Sequence, residues 1–265
     1  MSILSVDDYV ASVKQKITLT KTASLTTVAA NYGDPIAQAG QPGAGTLAGT
    51  STTAGVVPTD GTAGFPLINN FAGGALGYLS NVDFSSPVAC RIRLVDFLWK
   101  AGAYAFNASQ ALSAQPSYSG RVPGGTDFTG TELWLEAVTA FTGNATIAVT
   151  YTDQSGNPGH TTGTIATGIA PIIGRMIQIP LASGDSGIQK VENIVSTIST
   201  VGTFNMLVLR PLWEGNIRVA NGGDVHDFLR TGMPQVFDSS ALGLIIAADS
   251  TASSIPSILI EIASK

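Results

Sequence analysis

Thr146-Ile147-Ala148-Val149-Thr150-Tyr151-Thr152 runs into Asp153-Gln154-Ser155-Gly156-Asn157-Pro158-Gly159, and Thr161 to Ile165 follows. Ile147, Val149 and Tyr151 alternate with threonines and Ala148, the period of two that a half-buried strand requires. The seven residues after it combine Asp, Gly, Asn and Pro, which suit a turn, so the stretch predicts a β-hairpin. The same reading extends in both directions. Cys90 to Leu98 sets Cys90, Ile92 and Leu94 against Arg91, Arg93 and Val95, and Glu132 to Phe141 sets Leu133, Leu135 and Ala137 against Trp134, Glu136 and Val138. Further strands are expected at Arg175–Pro180, Val191–Ser199, Phe204–Leu212, Leu242–Ala247 and Ile258–Ile262, with one short helical turn from Val225 to Arg230. Many short strands rich in β-branched residues and broken by Gly, Pro and Asp predict an all-β, jelly-roll-like β-sandwich over residues 90–265.

Upstream the pattern differs. Ser5-Val6-Asp7-Asp8 has the form of a capping box, and Val6, Val10, Val13 and Ile17 recur at helical spacing. Residues 1–21 are therefore expected to hold one amphipathic helix, from about Val6 to Leu19. From Thr22 to Ala89 there is no Lys or Arg, and only Asp34, Asp60 and Asp83 are acidic. Gly, Ala, Thr and Pro dominate without a sustained period. A long structureless loop is unusual within a compact domain. Residues 22–89 are thus expected to be an extended arm lying on another subunit. The expected interface residues are Val10, Val13 and Ile17 from the helix, and Val56, Val57, Phe65, Phe71 and Tyr78 from the arm.

Composition narrows the function. Of 265 residues only 12% are charged, with a net charge of −5, and the mean hydropathy is +0.28. Disordered chains need the opposite balance. Direct nucleic-acid binding draws on Lys and Arg, which are scarce here. The single cysteine, Cys90, excludes an internal disulfide. The N-terminus lacks the basic start and apolar stretch of a secretory signal, and no apolar run approaches the ~18 residues of a membrane span. Synthesis in a reducing cytoplasm without a membrane anchor is expected.

Each constellation that suggests chemistry lacks a part. Gly184-Asp185-Ser186-Gly187 is like a serine-protease nucleophile segment, but His160 is the only upstream histidine and Asp185 the only aspartate between it and Ser186; a turn is the expected reading. Gly43 to Gly49 is one residue too long for a dinucleotide loop and has no flanking strand and helix. Asp153 to Asn157 lacks the closing Glu of a calcium loop. His160, His226 and Cys90 show no ligand spacing for zinc; His160 is expected beside the hairpin turn and His226 as a helix cap. Glu132 and Glu136 share a strand face with Trp134, which suggests a glycosidase pair or, more simply, an outward face. Trp99, Trp134 and Trp213 suggest a sugar platform or, more simply, core packing. No catalytic residue, cofactor or metal is expected.

Several motifs occur in an order that resembles a family of tailed-bacteriophage head-associated virion proteins. They are Ser5-Val6-Asp7-Asp8-Tyr9; Gly40-Gln41-Pro42-Gly43-Ala44-Gly45 leading to Gly55-Val56-Val57-Pro58-Thr59; Arg93 to Trp99; Leu133 to Glu136; Val149 to Gly156; and Arg175 to Leu181 leading into Gly184 to Gly187. The likeness extends to about Leu212. It implies a decoration or cement protein, or a minor head protein, on the capsid surface. Its partners would be the major capsid protein and copies of itself, as a homotrimer, without enzymatic activity. A tail, baseplate or receptor-binding sandwich is the alternative, and a polysaccharide-binding or -cleaving protein a remote one.

Overall fold

The computed structural model describes residues 3–22, 29, 31–106, 109–168, 172–196, 201–249 and 256–265. Strands dominate and the chain is an all-β sandwich protein. It divides into two compact units, each discontinuous in sequence: 1–45, 59–96 and 212–265 form the first, 46–58 and 97–211 the second. Two long strands, Cys90–Ala105 and Thr203–Ile217, carry the chain from one unit to the other. Residues 90–265, expected as one domain, are thus shared between the two units. The boundary escapes detection because it falls inside continuous apolar strands, where no Gly/Pro-rich linker marks it.

In the first unit, Val13–Lys21 pairs with Ser257–Ser264, which pairs with Gly77–Ser86, and that strand is flanked by Gly222–His226 and Gln235–Val236. A second group joins Leu242–Ala248 to residues 90–96 and to Tyr32–Gly33. Side chains alternating inward from both, among them Ile17, Leu79, Phe84, Ile92, Leu244 and Ile260, form one buried cluster.

In the second unit, Thr146–Asp153 lies between Ile188–Ser196 and the short strands His160–Thr161 and Ile165–Ala166. Glu132–Ala137 pairs with Arg175–Ile179 and with Phe204 to Leu209. Trp99, Leu133, Tyr151, Ile188 and Phe204 belong to its core. The hairpin is as expected, with Ile147, Val149 and Tyr151 buried and Tyr151 opposite His160. The expected extension of the 188–196 strand to Ser199 lies outside the described residues.

Two expectations upstream change. The helix covers only Val6–Ala11, capped by Ser5, whose Oγ accepts from the Asp8 amide. From Val13 the chain is a strand, Val13–Lys21, with Ile17 and Leu19 buried. Val13 and Ile17 fit a period of two as well as one of 3.6. The β-branched Val13, Ile17, Thr18 and Thr20 favour the strand once Ser257–Ser264 supplies a hydrogen-bonding edge. Nor is 22–89 a detached arm. Gly77–Ser86 is an inner strand of the first unit. Residues 46–58 pack into the second: Val56 exchanges backbone hydrogen bonds with Lys100 at 2.8 and 2.9 Å, and the Trp99 indole donates to the Ala54 carbonyl at 3.1 Å.

Candidate functional site

The N-terminal helix carries the clearest surface signal. Tyr9 turns inward, its ring 4.9 Å from that of Phe228 and its hydroxyl donating to Glu261 at 3.0 Å. Val6 and Val10, four positions apart, are neighbours on the helix surface, and both are exposed. Leu4, Val6, Val10 and Val13 are 87%, 61%, 70% and 71% exposed. The Lys265 ammonium pairs with Asp8 and, with the backbone of Leu4, holds that carboxyl down at about 2, tying the helix to the C-terminal strand. Beside Val13, a groove of ≈ 360 Å³ is lined by Lys14, Asn69, Phe71, Ala72 and Lys265 among others.

Of the expected interface residues, Val10 lies on this exposed face, and Val13 and Phe71 meet at the groove. Ile17 and Phe65 are buried in the chain itself. Tyr78 is half-buried beside Gln235 and Ala263. Val56 and Val57 belong to the second unit, Val57 against its core. The eight do not form one surface, because the reading assigned them to a single arm that the fold distributes among strands.

A second feature lies at the hairpin. Asp153 Oδ1 accepts the backbone N–H groups of Ser155 and Asn157, each at 2.8 Å, and Oδ2 accepts from the Asn157 side chain. The Asn157 amide, with these backbone donors, holds the Asp153 carboxyl below its usual range. His160 Nδ1 lies 2.7 Å from Asp185 Oδ2, and its Nε2 is 3.8 Å from Asp153 Oδ2. The Tyr151 hydroxyl donates to the same Asp185 oxygen at 2.5 Å and accepts from the Ala182 amide. Burial, then this carboxylate, pushes the phenol up to about 12. Both imidazole nitrogens face carboxylates and neither is bonded to Ser186, so the segment from Gly184 to Gly187 is a turn rather than a nucleophile motif. Asp153 and His160 bound one hairpin loop, so their approach was readable; Asp185, 25 residues on, was not.

The remaining candidates resolve into packing. Glu136 is fully buried and paired with Lys100, and Trp134 is fully buried with its indole donating to Glu132 at 2.8 Å. The outward-face reading of this strand is thus overturned, because Trp134 and Glu136, on the face expected to be outward, are both fully buried. Trp99 and Trp213 are also buried, which removes the sugar platform. Asp227, not His226, caps the short helix Phe228–Thr231, accepting from the Leu229 and Arg230 amides at 3.1 Å. His226 instead accepts from the Trp213 indole at 2.9 Å. Among the described residues no helix is long and apolar enough to cross a membrane.

No protein-family model matches the chain, and no curated protein matches its sequence. Among solved structures it is similar to the VP2 subviral particle of infectious bursal disease virus, with 11% identity and a TM-score of 0.20 over 96% of this chain and 80% of that one. The Gt strain of the same virus gives 12% identity and a TM-score of 0.18, over 96% and 81%. Likeness at this level is too slight to pass a role from one chain to the other.

Proposed function

We propose that this chain is a structural virion protein of a tailed-phage head, a decoration or cement subunit. It binds the major capsid protein and copies of itself, as a homotrimer, on the capsid surface. The observation that carries the reading is the exposure of four apolar side chains near the N-terminal helix, Leu4, Val6, Val10 and Val13. The ordered motifs shared with head-associated proteins support it, as does a charge content low enough for a subunit with large buried contacts.

Magnitudes favour a multivalent contact. Burying a Val or Leu side chain contributes about 1.5–3 kcal/mol, so the four give roughly 6–12 kcal/mol. Association costs about 4–15 kcal/mol in lost freedom. One such contact is therefore marginal, whereas several linked copies on a lattice gain avidity without new contacts. Quantitative mass spectrometry of purified particles tests the reading. A fixed ratio to the major capsid protein in tail-free heads supports it. Absence from heads, confinement to tails, or polysaccharide cleavage by the purified chain overturns it.

A further inference from the structure

We propose that Asp153, His160 and Asp185 form a site for a divalent transition-metal ion, with Zn²⁺ the best match. One oxygen from each aspartate and a ring nitrogen of His160 all lie within 4.8 Å of one another. They come from three chain positions: the end of the Thr146–Asp153 strand, the start of the returning strand, and the turn at 182–187.

Charge supplies an independent argument. The side chains of Asp153 and Asp185 are only 5% and 7% exposed, and both turn an oxygen to one imidazole. Among the described residues neither carboxylate pairs with a Lys or Arg. Two largely buried carboxylates facing one imidazole favour a countercharge. A divalent cation supplies it.

The ligands are also held in place. Two backbone amides fix Asp153 through Oδ1, and the Asn157 side chain donates to Oδ2, the oxygen that faces the histidine. Tyr151, itself held by the Ala182 amide, fixes Asp185. This is the outer hydrogen bonding that metal ligands ordinarily receive. His160, 34% exposed, is the member with room to turn, and it leaves solvent to complete the coordination. Zinc bonds of about 2.0–2.2 Å set tetrahedral ligand atoms about 3.3 Å apart, which is within reach of these three by side-chain rotation. On binding, the ion replaces the hydrogen between His160 and Asp185, and any proton displaced leaves to solvent. Imidazole together with carboxylates favours Zn²⁺ over Ca²⁺ or Mg²⁺, which prefer an all-oxygen shell. The ion would cross-link the hairpin to the turn, and because it binds only the folded chain it would raise thermal stability.

The test uses the full chain, treated with EDTA and desalted, titrated with ZnCl₂ by calorimetry and followed by thermal melting. Uptake of one equivalent with a rise in Tm is expected, and His160→Gln and Asp185→Asn should each weaken binding by about tenfold or more. Because Asp185→Asn also weakens the Tyr151 contact and its fold needs checking by circular dichroism, Co²⁺ provides a second measurement. Visible d–d absorption should appear with the wild type and disappear in His160→Gln. No uptake at micromolar Zn²⁺, or uptake and Co²⁺ absorption unchanged in His160→Gln, would overturn the assignment.

Discussion

Lys100 and Glu136 meet inside the second unit, Nζ 3.4 Å from Oε2, with side chains 8% and 0% exposed. Asn205 donates to the same Glu136 oxygen at 2.6 Å and to the Leu47 carbonyl at 2.7 Å, while Lys100 donates to the Thr46 carbonyl at 3.3 Å. One buried ion pair thus anchors the start of the 46–58 segment that the sequence reading places in an arm on another subunit.

Removing one partner leaves the other charge buried and alone, which costs about 3–5 kcal/mol. Glu136→Gln is therefore expected to destabilise the second unit by this amount in urea unfolding, whereas Glu132→Gln, at a half-buried site, should cost far less. Equal and small effects would show that the pair contributes little.

Gly55 and Trp99 make the same point sterically. Gly55 has φ +68°, and a Cβ there would lie 2.4 Å from the indole ring. Gly55→Ala combines a strained backbone with overpacking, each worth about 1–3 kcal/mol. A fall in Tm is expected, with the 46–58 segment becoming the first site of proteolysis. In the wild-type chain, limited proteolysis should spare 46–58 and 77–86; rapid cutting there would contradict the docking.

His226 offers a pH-dependent test. Burial, aided by Arg230, holds its pKa below the ordinary 6.5 despite Asp224. Its Nδ1 accepts the Trp213 indole N–H, a contact that requires the neutral tautomer at that nitrogen. Because the folded pKa is depressed, the unfolded chain takes up the proton first, and stability falls as pH drops from about 6.5 toward the folded value. Above about 7 there is no contribution. The stability slope in that window should vanish in His226→Gln; a slope unchanged by the substitution would contradict the assignment.

What was legible in the sequence follows from the range of the interactions. The hairpin at Thr146 was readable because alternation and turn chemistry are local. Val13 to Leu19 was not, since its apolar spacing fits two periods and only the partner strand at Ser257–Ser264, more than 230 residues away, decides between them. Gly77–Ser86 was hidden for a related reason: small and polar residues such as Ser80, Ser85 and Ser86 blur its alternation, although Leu79, Val82 and Phe84 are buried. At the Asp153–His160–Asp185 cluster, local spacing conveys two members and the fold alone brings the third.

The central claim is that the exposed apolar residues on and beside the N-terminal helix attach this chain to a particle. Val10 and Val13 make it testable, because both are exposed and their replacement by Asp should leave the Tm of the isolated chain within about 2 °C, as surface changes usually do. The decisive measurement is competition between the wild type and Val10→Asp/Val13→Asp for incorporation into purified heads, quantified by mass spectrometry. Exclusion of the folded double variant by tenfold or more is the expected result. Equal incorporation of the two would contradict the account.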